Sequence, residues 1–275
     1  MQTLGFAKGH ATHNDFVILE DRENLNPLSD VTVRWLCDRR AGIGGDGLLR
    51  AVSSELIPGW QGDRSLWFMD YRNADGSVAE MCGNGLRLFV RYLLDQGLID
   101  STPVRVATRA GLREAWPSPD GCIKVSMGPA TVAEQPTWIE LQYRRYRATT
   151  VDVGNPHAVV RLDDLDELRA LDLTASPAFD PAVYPAGVNV EFTVETREDE
   201  LQMRVFERGV GETQSCGTGV VAAAAAQLHG RGRTTGAMTV AVPGGRLNVD
   251  IDRDQAYLTG PAVVVAHGHV RIPDL

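Results

Sequence analysis

Met81-Cys82-Gly83-Asn84-Gly85-Leu86-Arg87-Leu88-Phe89-Val90 and Ser215-Cys216-Gly217-Thr218-Gly219-Val220-Val221-Ala222-Ala223-Ala224 carry one pattern twice, half a chain length apart. Each is Cys-Gly-polar-Gly running into an apolar helical stretch. A duplicated unit, each copy placing one cysteine at the start of a buried helix, accounts for the recurrence. The first backbone N–H groups of a helix lack intrahelical partners, and the helix dipole adds partial positive charge there. Gly83-Asn84 and Gly217-Thr218 are therefore suited to receive a carboxylate. The same field lowers a thiol pKa, to roughly 3.5–7.5 at such positions. Two activated thiols at one small carboxylic acid suggest that the proton next to the carboxylate leaves from one face and returns on the other. That is a racemase or epimerase. Matched residues suit a reaction that runs both ways, each cysteine being base in one direction and acid in the other.

Outward from these helices, period-two alternation dominates. Ile123, Val125 and Met127 alternate with Lys124 and Ser126, and Leu201, Met203 and Val205 with Gln202 and Arg204, as half-buried strands do. Met238, Val240 and Val242, then Leu247, Val249 and Ile251, flank Pro243-Gly244-Gly245 and predict a hairpin with a Gly-Gly turn. Helices are fewer. Asp30 caps one through Val31, Trp35 and Leu36 that stops near the glycines at 42, 44, 45 and 47, and a second runs from about Asp164 to Leu171. The two cysteine-led helices are expected from Leu86 and Val220, directly after their glycine turns. Strands outnumber helices without regular βαβ spacing, which predicts an α+β fold rather than a doubly wound one. Trp116-Pro117-Ser118-Pro119-Asp120-Gly121 interrupts the strand pattern near mid-chain and is the candidate linker.

The 275 residues suit one large domain or two of ordinary size. With 43% hydrophobic and 23% charged residues, neither disorder nor a fibrous architecture is expected. A net charge of −9 argues against a nucleic-acid binder. The densest apolar run, Val220 to Ala226, is far short of the roughly 20 residues that cross a bilayer, so no membrane span is expected. Met1-Gln2-Thr3-Leu4-Gly5-Phe6 lacks the basic start and apolar stretch of a secretory signal, and a cytoplasmic protein is expected. The four cysteines, Cys37, Cys82, Cys122 and Cys216, form no C-x-x-C pair and have no histidine at metal-ligand spacing, so no metal site is expected. Cys37, on the apolar side of a predicted helix, and Cys122, beside a turn, read as packing.

Further blocks complete a resemblance. His13-Asn14-Asp15-Phe16-Val17, Arg39-Arg40-Ala41-Gly42-Ile43-Gly44-Gly45-Asp46-Gly47, Tyr71-Arg72-Asn73-Ala74-Asp75-Gly76 and Gly154-Asn155-Pro156-His157 are followed by Gly187-Val188-Asn189-Val190-Glu191 and Glu207-Arg208-Gly209-Val210-Gly211-Glu212-Thr213. With the two cysteine motifs, in this order, the chain resembles the diaminopimelate epimerase family over nearly its whole length. The resemblance implies interconversion of LL- and meso-2,6-diaminopimelate, supplying lysine and cell-wall synthesis, with no cofactor, neither pyridoxal phosphate nor metal. It implies two similar domains, each a mixed sheet wrapped around a central helix, with the cysteines facing each other across an interdomain cleft. Residues 1–118, completed by a C-terminal strand within 262–275, would form one domain and 119–261 the other. A homodimer is the family's common state.

Residue by residue, the resemblance makes Cys82 and Cys216 the acid/base pair, with Cys216 accepting the proton in the LL-to-meso direction. Gly83 and Asn84, with Gly217 and Thr218, would hold the reacting carboxylate through backbone amides. Asn14, Asn73, Asn155, Asn189, Glu207 and Arg208 would hold the rest of the substrate, Arg pairing bidentately with a carboxylate and Asn offering donors and an acceptor without charge. His157 and Glu207 would tune the thiols. Taken alone, each Asn is a turn former, His157 a turn residue and Glu207-Arg208 a solvated pair. Two positions depart from the family pattern: Gly47 stands where a pocket Gln is usual, and His13 where Gly is common. Proline and hydroxyproline racemases also use paired cysteines but need no clamp for a distal amino acid. A peroxide-reactive thiol protein with a Cys82–Cys216 disulfide, or a plain binding module, would exchange no α-proton at all.

Overall fold

Alternating apolar residues predict strands through most of the chain. The computed structural model, which describes residues 2–100 and 102–273, has that α+β character. Two compact units divide it, Met1–Val125 with Pro261–Leu275 and Ser126–Gly260. The first unit contains β1 (Gln2–Ala11), β2 (Asn14–Glu20), α1 (Asp30–Cys37), β3 (Gly47–Ser53), β4 (Trp67–Asn73), α2 (Gly83–Asp95), β5 (Val104–Thr108), β6 (Gly111–Pro117) and the start of β7 (Cys122–Gly128). The second contains β8 (Thr131–Val132), β9 (Thr137–Leu141), β10 (Arg144–Asp152), β11 (Pro156–Leu162), α3 (Leu165–Ala170), β12 (Ala178–Phe179), β13 (Asn189–Arg197), β14 (Glu200–Glu207) and β15 (Gly211–Thr213). It continues with α4 (Gly217–Gly230), β16 (Gly236–Val242), β17 (Gly245–Ile251) and β18 (Ala256–Pro261); β19 (Val263–Ile272) returns to the first unit.

The duplication extends to strand order and direction. In the first unit the order β19-β1-β2-β3-β4-β5-β6-β7 pairs antiparallel, antiparallel, parallel, antiparallel, parallel, antiparallel, antiparallel. In the second, β9-β10-β11-β13-β14-β16-β17-β18 pairs in the same succession. A parallel pair needs a crossover connection, and the helices fall at those crossovers: α1 and α3 at the first, α2 and α4 at the second. One difference remains. The outer strand β9 directly precedes β10 in the chain, whereas β19, the outer strand of the first unit, comes from the far end of the sequence.

Within its unit each cysteine-led helix is wrapped by strands. α2 packs against β1, β2, β3, β4, β6 and β19, and α4 against β8, β10, β11, β13, β14, β16 and β17. From Val220 to Leu228 every side chain of α4 is buried, as a helix apolar on every face requires. The outer helices are one-sided: Val33, Leu36 and Cys37 of α1 pack on Val17, Leu19 and Leu48, and Leu168 of α3 joins the core around Ile139, Tyr146 and Phe192.

Local expectations are corrected at four points. Ser29, not Asp30, caps α1, its hydroxyl accepting from the Thr32 N–H at 3.1 Å. The central helices start at Gly83 and Gly217 rather than at Leu86 and Val220, because Leu86 N–H bonds Cys82 O and Val220 N–H bonds Cys216 O. Glycine's low helix propensity makes these first turns read as loop. In the β16–β17 hairpin Val242 pairs with Gly245, so Pro243-Gly244 is the turn. The candidate linker is also a turn: Ser118 N–H bonds Cys122 O at 2.9 Å and Pro117 pairs with Ile123. Turns and linkers share Pro, Gly and Asp for the same backbone reasons; the units divide after Val125, inside β7.

Candidate active site

In the first unit, Cys82 is the N-cap of α2, in extended backbone, and its Sγ accepts from the Gly85 N–H at 3.3 Å. Such a bond favours the charged form of the acceptor. Asn14, the first residue of β2, turns its Oδ1 towards this sulfur at 3.8 Å and accepts from Asn84 Nδ2 at 3.3 Å. Its own Nδ2 donates to Asp46 at 2.8 Å. Asp15 beside it is bound by Arg39 and Lys8. Burial works to raise the Asp15 pKa, but those hydrogen bonds and charges outweigh it and hold the carboxyl far below its usual range. Asn14 is delivered by a two-residue turn, Thr12-His13, with φ of 48° and 63°. Both residues adopt the left-handed form that glycine favours.

Asn73, at the end of β4, accepts from the Tyr71 hydroxyl at 2.9 Å and donates to Ser77 Oγ at 2.9 Å. Its side chain bonds neither Cys82 nor Asn14. Gly47 lies opposite it on β3. A Cβ at Gly47 would lie 2.7 Å from the Arg72 carbonyl oxygen and 2.9 Å from the Tyr71 ring, so Tyr71 fills the room that a longer residue would need.

In the second unit, Cys216 is the N-cap of α4 and is buried, its Sγ 3.5 Å from the Thr218 hydroxyl. Burial, then the carboxylates of Glu207 and Glu191, push this thiol well above its ordinary value, with Thr218 and the Gly219 N–H working the other way. Glu207, at the end of β14, accepts from the Thr213 hydroxyl at 2.5 Å. His157, at the start of β11, is fully buried; its Nδ1 is 2.7 Å from Glu191 Oε1 and its Nε2 3.1 Å from Asn155 Oδ1. Glu191 lies so close to α4 that a Cβ on Gly219 would sit 2.5 Å from its carboxylate, so any other residue there would displace Glu191. Asn189 is buried and accepts from the Arg208 N–H at 2.9 Å, while Arg208 itself is exposed and donates to Ala186 O at 2.9 Å.

The structure thus joins Asn14, Cys82 and Asn84 in one network, His157 with Asn155 in a second, and Asn189 with the Arg208 backbone in a third. Two residues at these networks escape sequence reasoning: Arg87 and Glu191. The available signal is a lone charge inside an apolar run, Leu86-Arg87-Leu88 and Val190-Glu191-Phe192. All four cysteines are free thiols. Cys37 is packed in α1 and burial pushes it up to about 11; Cys122 is half-buried at the start of β7, and burial and Asp120 raise it. Each unit therefore places one thiol at the N-terminus of a buried helix.

The family model for diaminopimelate epimerase matches residues 6–133 and 149–265. A diaminopimelate epimerase of Corynebacterium glutamicum is 46% identical over 98% of this chain and 99% of its own length. One of Streptomyces coelicolor is 47% identical over 96% and 94%. Among solved structures, a phenazine biosynthesis protein of the PhzF family from Bacillus anthracis superposes with a TM-score of 0.72 at 17% identity, covering 99% of this chain and 100% of that one. A hydroxyproline epimerase from Agrobacterium vitis does so with 0.70 at 16%, covering 98% and 92%. At these identities the two structures speak for the fold alone. The full-length identity to the curated relatives and the family match over most of the sequence say more: the chain belongs to the diaminopimelate epimerase family.

Proposed function

We propose that this chain interconverts LL- and meso-2,6-diaminopimelate by a two-thiol acid/base reaction, serving lysine and cell-wall precursor synthesis. One observation carries the reading: the duplicated fold caps both central helices with a cysteine, Cys82 and Cys216. In the LL-to-meso direction Cys216 takes the α-proton and Cys82 returns one to the opposite face. The reacting carboxylate sits on the N–H groups of Gly83-Asn84 and Gly217-Thr218, where helix dipoles favour the charge that builds up as the proton leaves. Asn14, Asn73, Asn155 and Asn189 with Arg208 hold the remainder of the substrate. Glu207 and His157 bear on Cys216, whose raised pKa supports a thiol at rest that ionises as the substrate ammonium arrives. The working form we infer is a cytoplasmic homodimer; no helix among the described residues is long and apolar enough to cross a membrane.

The test is α-proton exchange in deuterated water. LL-diaminopimelate should take up deuterium at the inverted centre, and proline should not. Cys82→Ala and Cys216→Ala should each lower epimerisation by at least about a hundredfold, the scale of lost acid/base catalysis. Turnover of proline alone, or near-native rates in both variants, would sink the assignment.

A further inference from the structure

α2 carries one charge inside its apolar run, Arg87, and that side chain is fully buried. A guanidinium taken out of water ordinarily pairs with a carboxylate, since an uncompensated buried charge is costly. Arg87 has no such partner among the described residues. Its Nη1 donates to Gly83 O at 3.3 Å, its Nη2 to Asn84 Oδ1 at 2.8 Å and to Thr12 Oγ1 at 3.2 Å, and its buried Nε has no acceptor. All three acceptors are neutral. Two lie in the turn that follows Cys82, and the third is in the strained turn that delivers Asn14. Burial lowers the guanidinium pKa to about 10, with Cys82 and then Cys122 working the other way.

We propose that Arg87 is a positioning residue that clamps the Gly83-Asn84 turn to Thr12 and supplies the counter-charge for a Cys82 thiolate. The inference rests on the reading of Cys82 as a proton carrier. Other charges near α2 are committed. Lys8 and Arg39 pair with Asp15, Arg50, Arg72 and Arg109 with Asp70, and Glu20 accepts from Tyr92. On β6, Arg113 donates to Leu112 O and Glu114 lies opposite Arg105. His10 on β1 meets His13 edge-to-face, and His267, His269 and Arg271 on β19 are exposed. Asp46 reaches the turn only through the Asn14 amide. Cys216 has the opposite setting, with carboxylates as its charged neighbours.

Iodoacetamide alkylation across roughly pH 5 to 10, followed for each cysteine by peptide mass spectrometry, reads both thiols without substrate. In the unaltered protein the Cys82 midpoint should lie at least about one pH unit below that of Cys216. Arg87→Gln should raise the Cys82 midpoint by about one unit and leave Cys216 in place, while Arg87→Lys, which keeps the charge and loses the fork, should hold it within about half a unit. A Cys82 midpoint no lower than that of Cys216, or one unmoved by Arg87→Gln, overturns the proposal. Should Arg87→Gln fail to fold, the unaltered protein and Arg87→Lys decide. α-Proton exchange on diaminopimelate, run in parallel, separates this outcome from failure of the function itself.

Discussion

Glu191 and His157 form a fully buried pair whose carboxylate also lies against α4 at Gly219. One carboxylate thereby fixes an imidazole and acts on the Cys216 thiol, which it helps to push up. Glu191→Gln keeps the volume and a hydrogen bond but removes the charge. It should lower the alkylation midpoint of Cys216 by roughly half a pH unit or more, measured in the same alkylation series; a midpoint that stayed or rose would show that the carboxylate does not reach the thiol. At this scale the sequence is legible where a motif names the atom. Cys82 and Cys216 stand out by repetition, and the Asn positions by their blocks. Arg87 and Glu191 do not, because burial of a charge is a tertiary property and periodicity records only that a polar residue interrupts an apolar run. Gly47 shows the converse: a missing side chain reads as a lost contact, while in the fold the Tyr71 ring stands in the room and its hydroxyl holds Asn73.

Among elements, α4 is the one whose composition and packing agree most closely. Ala222, Ala223 and Ala224 have no exposed surface, and strands surround the helix. Small side chains let a sheet close around a helix at short range, and a packed interior has little room for added methylenes. Ala223→Leu should therefore cost about 1–3 kcal/mol, seen as a lower urea midpoint of unfolding. The presence of the strands and helices was readable from alternation and apolar runs. Their joints were not. Ser118 to Gly121 has the composition of a linker, yet closes the β6–β7 hairpin. The first turns of α2 and α4 hide behind glycines, whose low helix propensity makes them read as loop.

For the molecule as a whole, the two units differ in how they meet acid. In the first unit, Asp15 and Asp70 are each held low although burial opposes it, Asp15 by Arg39 and Lys8, Asp70 by Arg109, Arg50 and Arg72. A carboxyl depressed on folding adds stability above its unfolded pKa of about 3.9, and that stability is lost as pH falls towards the folded value. Below about pH 4 the first unit should therefore lose amide protection before the second, as read by pulsed hydrogen exchange; simultaneous loss would contradict it. Two ten-residue stretches of sequence predict that the halves are copies, and the shared order and direction of the strands is what a copied unit requires. The return of β19 to lie along β1, with Gln2 opposite Ile272, has a further consequence. During synthesis the second unit holds all its strands once Pro261 has emerged, whereas the first must wait for β19. The half that leaves the ribosome first is the half that closes last, and until then β1 presents an open edge for chaperones to shield.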